Sequence, residues 1–295
     1  MPAKRLVERL SQNERLNFLL TNRIPRRIAT RFVGRISKIR NPLVSRPAIA
    51  MWRLFGGDFE LHEARRQKFA SMHELFTREL RPGLRPQVSD ANVVTSPCDA
   101  IVGEFGTVEN GRAYQAKGFP YSLGDLLGDT SAMQHFEGGV YVTLRLKSNM
   151  YHRFHAPCDG TIEGVNYISG DTWNVNPIAL KRIENLYCRN ERAVIRIRNA
   201  YDNARIALVP VAAILVASIR LKFLREPFSL KYRGPNQMDC HEAVAKGDEL
   251  GWFEHGSTII AFAPPGYRIS DALVSGQRIR LGSALFEAAE HASAQ

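Results

Sequence analysis

Short runs of β-forming residues, separated by glycines and other turn residues, recur along most of the chain from residue 100 onward. Val, Ile, Phe, Tyr and Thr dominate these runs, and such side chains pack well on the pleated surface of a sheet. We therefore predict an α+β fold with a mostly β core and amphipathic N-terminal helices. The predicted strands are Ala100–Phe105, Gly139–Leu146, Thr161–Ile168, Ala193–Arg198, Ile206–Ile219 and Thr258–Ala263.

Positive charge is concentrated in the first part of the chain. The 295-residue sequence has a formal net charge of +11 at pH 7. Residues 1–53 contain thirteen Lys or Arg against two acids, Glu8 and Glu14, and so carry the whole excess. The sequence thus predicts a basic arm joined to an electrically balanced body.

The arm also has the periodicity of an amphipathic helix. Apolar residues recur at spacings of four and three, at Ile28, Phe32, Ile36 and Ile39. Pro25 suits the first turn of such a helix, where its missing N–H costs nothing. Farther on, an apolar cluster surrounds Trp52, and this combination with flanking cations is typical of a helix at a membrane interface. We predict that residues 1–56 form a basic membrane-association segment and that residues 57–295 form the main domain.

Three other interpretations of the arm stay open from composition alone. Its arginines could be a solvated face of helices packed on the body, a contact for nucleic acid, or part of a cleaved mitochondrial targeting peptide. The apolar face favours the membrane surface, and we expect no nucleic-acid partner. No apolar run reaches the ~18 residues that a bilayer-spanning helix needs, and the N-terminus lacks the apolar core of a secretory signal.

Cysteine and histidine spacing argues against a disulfide scaffold and a metal site. The four cysteines are far apart, with no CxxC pair, which indicates a reducing compartment. His152 and His155 are three residues apart, but no nearby carboxylate or thiol completes a ligand set around them. We therefore expect no metal.

Asp99, the two histidines and Ser257 are the candidate catalytic residues. An Asp, a His and a Ser in this chain order suggest nucleophilic catalysis with an oriented base. The pattern alone is weak, and Ser257 has no glycine two residues later, as the nucleophile elbow of a serine hydrolase requires. Residues 96–102 are also echoed by residues 156–162, so Asp99 and Asp159 could both be turn residues.

Several sequence blocks together resemble the phosphatidylserine decarboxylase family, and they occur in the family's order across roughly residues 60–265. Gly256-Ser257-Thr258, preceded by Gly251-x-Phe253, resembles the family's self-cleavage motif. The other matching blocks are Ser96–Asp99, Ala116–Leu123, Leu126–Gly128, Tyr151–His155, Phe76–Leu80, Gly170-Asp171 and Arg189–Arg192. The chain departs from the family at His255, where an apolar residue is usual, and at Ala100, where glycine is usual.

The resemblance implies a self-cleaving enzyme with a pyruvoyl cofactor made from Ser257. Ser257 would attack the carbonyl of Gly256, and the chain would split into a large chain 1–256 and a small chain 257–295. His155 would be the base, Asp99 would orient it, and His152 would act in decarboxylation or reprotonation. Three further residues would lie near the substrate pocket: Lys117, Tyr121 and Ser122. Lys117 could equally be an ordinary surface lysine, and Tyr121 an ordinary packed tyrosine.

The implied reaction converts phosphatidylserine to phosphatidylethanolamine and CO2 through a Schiff base with the pyruvoyl group. The implied partners are phosphatidylserine, an anionic membrane surface and the protein's own two chains, with a homodimer left open. The expected location is peripheral, at the cytoplasmic face of a bacterial inner membrane. The alternatives are a membrane-associated binding protein of this fold that never matures, and a pyruvoyl decarboxylase for another amine.

Overall fold

The computed structural model describes residue 18 and residues 25–214, 218–229, 232–254 and 257–289. Within these ranges short helices surround four antiparallel sheets, which confirms the predicted α+β class. The helices are α1 (Arg26–Ser37), α2 (Pro42–Gly56), α3 (Met72–Phe76), α4 (Leu123–Leu127), α5 (Thr130–Phe136), α6 (Pro177–Leu180) and α7 (Leu186–Arg189), with a 3-10 turn at Leu61–Glu63.

The strands account for most of the regular structure. Those of the first half are β1 (Val93–Thr95), β2 (Ala100–Thr107), β3 (Arg112–Ala116), β4 (Phe119–Ser122), β5 (Val140–Leu146), β6 (Arg153–His155), β7 (Gly160–Ile168) and β8 (Arg192–Asn199). Those of the second half are β9 (Arg205–Ala212), β10 (Ser218–Leu221), β11 (Phe228–Ser229), β12 (Gln237–Val244), β13 (Glu249–Phe253), β14 (Ser257–Ala263), β15 (Tyr267–Ile269), β16 (Arg278–Ile279) and β17 (Ala284–Ala288).

An eight-stranded sheet with the order β12-β7-β8-β9-β14-β5-β2-β16 is the largest element. Each of the six predicted strand regions contributes a strand to it. The run predicted at Ile206–Ile219 is longer than the observed strand, because β9 ends at Ala212 and β10 belongs to another sheet. The side chain of Asn190 donates to the Ala212 carbonyl at 2.9 Å, so that carbonyl bonds to a side chain where the strand ends.

Strand β14 lies inside this sheet, hydrogen-bonded to β5 on one side and β9 on the other. Every residue of β14 is buried, because both faces of the strand are covered. Ile259 packs in the core on one face, while Ile260 and Phe262 pack in the core on the other. An apolar run with no alternation is typical of such a doubly covered strand.

The internal echo in the sequence corresponds to a structural repeat. Ser96 and Ala156 each exchange two backbone hydrogen bonds with a turn near the C-terminal side of the fold, at 282–283 and 247–248 respectively. The aspartate of each repeat accepts a backbone N–H from the same turn: Leu281 donates to Asp99 at 2.9 Å and Lys246 to Asp159 at 2.8 Å. The repeats also bond to each other, through Thr95 N–H to Pro157 O and His155 N–H to Pro97 O, both at 2.8 Å.

Helices α1 and α2 lie on the body with apolar side chains directed away from it. The predicted helical periodicity after Pro25 is confirmed by α1, yet Thr30 and Ser37 are the buried residues of this helix. Ile28 and Phe32 are 68% and 63% exposed, and Leu43 at the start of α2 is 85% exposed. The described helices include none that is long and apolar enough to span a membrane.

Two glycines with positive φ provide a test of the repeat's close packing. A Cβ at Gly282 would lie 2.4 Å from the carbonyl oxygen of Pro86, whereas Gly266 has a similar φ but nothing within 4 Å. Gly266→Ala should therefore cost only the left-handed strain of about 1–2 kcal/mol. Gly282→Ala should cost roughly twice as much, because the backbone must also move. Urea unfolding of both variants measures the difference, and equal midpoints would contradict it.

Candidate active site

Ser257 is the first residue of β14 and is 1% exposed. It pairs with Leu146 of β5 and with Ala212 of β9, which fixes its backbone on both sides. Among the described residues its hydroxyl has no hydrogen-bond partner. A buried hydroxyl without a partner is costly and is typically kept for a functional reason.

A cavity of about 530 Å³ opens beside this serine. Its walls come from α2, from the end of β5 with the loop after it, and from the segments 174–176 and 213–214. The residues that line it include Trp52 and Gly56 of α2 and the two cations Arg145 and Lys147. The cavity is therefore large enough for a small polar group and is lined on one side by the N-terminal arm.

Asp99 lies at the same end of the sheet as Ser257. Ile101 of β2 and Thr258 of β14 both pair with Arg145 of the intervening strand β5. Asp99 immediately precedes β2 and Ser257 is the first residue of β14, and neighbouring strands are about 4.8 Å apart. The two residues are thus separated by about two strand spacings, roughly 10 Å, along one edge of the sheet.

The carboxylate of Asp99 is fully buried and is bound by Arg85. The guanidinium donates to both carboxylate oxygens, at 2.9 Å from Nε and 2.6 Å from Nη2, and its Nη2 also donates to Glu63 at 2.5 Å. Burial acts to lower the pKa of Arg85, but the hydrogen bonds to Asp99 and Glu63 outweigh it and raise the pKa. Arg85 therefore stays charged between two buried carboxylates.

The same carboxylates belong to a network that reaches the C-terminal part of the chain. Arg278 is ion-paired with Glu60, and Arg280 is 3.3 Å from Glu63. Within the described ranges Glu60, Glu63 and Asp99 are close enough together to share a metal ion. All three already pair with arginine, so the arrangement is that of an ion-pair network.

The imidazole of His155 is held from both sides. Its Nδ1 is 2.7 Å from the carbonyl oxygen of Gly247, and its Nε2 is 3.0 Å from the hydroxyl of Tyr151. A carbonyl can only accept, so Nδ1 carries the proton, and Nε2 accepts from Tyr151 in the neutral ring. Burial lowers the pKa of His155, which keeps its ring neutral near neutral pH.

His152 is fully buried behind the cavity wall. Its ring meets Phe76 edge-on at 5.7 Å between centroids, and Phe76 meets Trp52 in the same way at 5.4 Å. The carbonyl of His152 accepts the N–H of Phe253 at 3.0 Å, which ties it to the strand that leads toward Ser257. His152 is thus connected to the cavity through two aromatic rings.

The structure brings the predicted catalytic residues to one end of the fold without joining them directly. The hydrogen bonds that Asp99 accepts within the described ranges come from Arg85 and Leu281, not from His155. The orienting role of Asp99 and the base role of His155 stay predictions. The other half of the predicted cleavage site, Gly256, lies outside the described residues, as does His255.

The three residues predicted near the substrate pocket are elsewhere. Lys117 is exposed in the turn between β3 and β4. Tyr121 is buried in a core cluster with its ring 5.9 Å from that of Tyr187, and Ser122 caps α4 by accepting the N–H of Asp125 at 3.2 Å. None of the three lines the cavity at Ser257, so their predicted role in binding gains no support from the described contacts.

Sequence reasoning missed the residues that surround the predicted ones. Arg85 gave no signal beyond its place in a Pro-rich turn, and its partners are distant in sequence. Tyr151 lies four residues before His155 in the same block, so its contact with the imidazole could have been anticipated. Arg145 and Lys147 flank the end of a predicted strand, and only the fold places them beside Ser257.

The fold and site together define a class of protein: a β-rich chain with a buried serine at the start of a central strand, beside a polar cavity. The family model for phosphatidylserine decarboxylase matches residues 72–287. The chain belongs to this family.

Curated relatives agree along most of their length. A phosphatidylserine decarboxylase proenzyme of Vibrio cholerae serotype O1 is 36% identical over 270 residues, covering 88% of this chain and 94% of the relative. Proenzymes of the same name from Anaeromyxobacter sp. and Myxococcus xanthus are 37% and 34% identical. They cover 94% and 92% of this chain, and this chain covers 100% and 97% of them.

The Arg85 contacts give a stability prediction. Arg85→Met should lower the free energy of unfolding by about 3–5 kcal/mol, because it leaves two buried carboxylates without their shared cation. Arg65 is the matched control, since it pairs with Glu79 at 2.9 Å on the exposed surface. Arg65→Met should cost about 0–1 kcal/mol. Urea unfolding distinguishes the two variants, and a loss for Arg85→Met no larger than that of the control would refute this account.

Proposed function

We propose that the chain is a phosphatidylserine decarboxylase that forms by cleavage of its own peptide bond between Gly256 and Ser257. It converts phosphatidylserine to phosphatidylethanolamine and CO2. The observation that carries this proposal is the buried hydroxyl of Ser257, which has no partner in the described part of the chain and lies at the cavity. Family membership and the relatives named as proenzymes support the same conclusion.

The cleavage chemistry uses groups that the chain itself provides. The Ser257 hydroxyl oxygen bonds to the carbonyl carbon of residue 256, and the peptide C–N bond between residues 256 and 257 breaks. This leaves an ester between the two residues and a free amine on residue 257. Loss of the Ser257 α-proton then expels the carboxylate of residue 256 and leaves an enamine. Water replaces the nitrogen of that group, releasing ammonia and leaving a pyruvoyl group at residue 257.

The pairing of β14 with β5 and β9 would hold such a group at the start of the strand. A pyruvoyl ketone at position 257 supplies an electrophile for the substrate amine and a sink for the electron pair left when CO2 departs. The neutral His155 is able to accept a proton, and the hydroxyl of Tyr151 holds its Nε2. We assign proton transfer during cleavage to His155, with Asp99 as a positioning residue, and protonation after CO2 loss to His152.

The two chains produced by cleavage would remain together. The small chain 257–295 provides β14, which is hydrogen-bonded on both sides by strands of the large chain. It also donates Leu281 N–H to Asp99 and pairs Arg278 with Glu60. Cleavage should therefore yield a complex of two chains rather than two separate proteins.

Intact mass spectrometry tests the proposed cleavage. The purified protein should give two masses that break between residues 256 and 257, and the small chain should have a blocked N-terminus. Ser257→Ala should give one chain of about 33.2 kDa, because alanine has no nucleophile. Ser270→Ala, which removes another buried serine hydroxyl of the small chain, is the control and should be cut normally. A single uncut mass for the folded wild-type protein would instead support a binding protein that never matures.

We also propose that α1 and α2 attach the enzyme to an anionic membrane surface, at the cytoplasmic face of a bacterial inner membrane. The exposed apolar residues of these helices are interspersed along the chain with the exposed cations Arg31, Arg35 and Arg46. Trp52 and Gly56 of α2 line the cavity beside Ser257. The cavity wall therefore includes residues from both sides of the predicted boundary at residue 56.

Substitutions in α1 and α2 test this attachment without removing the cavity wall. The double variant Phe32→Glu with Leu43→Glu should bind anionic vesicles at least tenfold more weakly, since burying one such side chain contributes about 1.5–3 kcal/mol. Tyr114→Glu with Val274→Glu is the control, because these residues are also exposed apolar side chains, 44% and 46% exposed on the body, and the charge change is equal. Flotation with vesicles measures binding, and equal losses in both variants would argue against a specific membrane face.

A further inference from the structure

We propose that Arg145 and Lys147 form a subsite for the phosphodiester group of the substrate. This inference rests on the proposed decarboxylase function and adds how the headgroup is recognised. Both residues line the cavity that contains Ser257.

The position of the two cations follows from strand pairing. Arg145 is the penultimate residue of β5, and Lys147 comes directly after the strand. They flank Leu146, which pairs with Ser257 across the ladder. Because paired strands are about 4.8 Å apart, the backbone that carries the cations is one strand spacing from the backbone of Ser257.

Neither cation is neutralised by the described part of the chain. No ion pair or side-chain hydrogen bond joins Arg145 or Lys147 to another described residue, whereas Arg85, Arg153 and Arg278 are all ion-paired with carboxylates. Arg145 is partly buried and Lys147 is exposed at the cavity. Two adjacent cations without a counter-charge in a cavity attract an anion from outside the chain.

The chemistry of decarboxylation identifies which anion this is. The substrate headgroup carries a carboxylate and a phosphodiester, and the carboxylate must lose its charge as CO2 leaves. Cations bound to the carboxylate would stabilise the starting state and oppose the reaction. The phosphodiester keeps its charge throughout, so cations bound to it contribute binding without slowing the reaction.

The dimensions of the substrate agree with this assignment. Four covalent bonds separate the amine nitrogen from the phosphorus, a span on the order of 5 Å at ordinary bond lengths. This span is about one strand spacing, so a phosphodiester bound through an amine at residue 257 can reach the cations of β5 that line the cavity. The acyl chains lie beyond the phosphate, and α2, with the exposed Met51 and Leu54, forms another part of the cavity wall through Trp52 and Gly56.

Steady-state kinetics of lysine variants test the subsite. Lys147→Met should raise KM for phosphatidylserine in neutral detergent micelles at least tenfold and leave kcat within about twofold, as expected for loss of uniform binding. Lys147→Arg should keep most of the affinity. Lys222→Met removes an exposed lysine outside the cavity and controls for net charge. Intact mass first shows that each variant has matured.

Calorimetric binding provides a readout that does not depend on turnover. Glycerophosphocholine is a soluble phosphodiester whose quaternary ammonium cannot condense with a ketone, and it should bind Lys147→Met at least tenfold more weakly than wild type. Serine without a phosphate should bind both proteins alike. Inorganic phosphate that binds as well as the diester would assign the subsite to the free anion and overturn the proposal.

The outcomes separate this inference from the proposed function. An inactive wild-type enzyme with a lysine-dependent diester site would refute the decarboxylase function alone. An active enzyme whose KM is unchanged in Lys147→Met, or whose kcat changes instead of KM, would refute the phosphodiester subsite alone.

Discussion

The two-sided hydrogen bonding of β14 is the constraint on which the rest of the structure depends. The strand bonds to β5 and β9 along its length and is buried on both faces, so its first residue has little freedom to move. Ser257 is that residue, and its buried hydroxyl lies at the wall of the cavity. The same ladders would hold β14 in the sheet if the preceding peptide bond were cut.

Electrostatics organises the region around that strand. Arg85 neutralises two buried carboxylates at once, whereas Arg145 and Lys147 have no such partner in the described chain. The first arrangement stabilises structure, because a buried charge with a partner costs much less than one without. The second leaves positive potential in the cavity, where an anionic ligand would complete it. Arg85 thus stabilises the fold, whereas Arg145 and Lys147 are available to bind a ligand.

Much of the fold could be predicted from the sequence, and rather less of the site. β-branched runs predicted six of the eight strands of the large sheet, and the spacing of apolar residues after Pro25 predicted α1. These signals are local, so periodicity suffices. The bonds of Arg85 to Asp99 and of His155 to Gly247 join residues far apart in the chain, and no local pattern encodes them. Ser122 matched a family block, but its hydroxyl caps a helix.

The structural repeat has a consequence for where the site lies. Asp99 belongs to the first copy of the turn, whereas His155 immediately precedes the second copy, and backbone bonds join the two copies there. The candidate positioning residue and the candidate base are therefore supplied from the two copies of this turn, where the copies bond to each other. The second copy's aspartate, Asp159, accepts the equivalent N–H, and no arginine in the described ranges is ion-paired with it. The turn at Asp159 thus shows the repeat without the ion-pair network that surrounds Asp99, and comparing the two turns shows what that network adds.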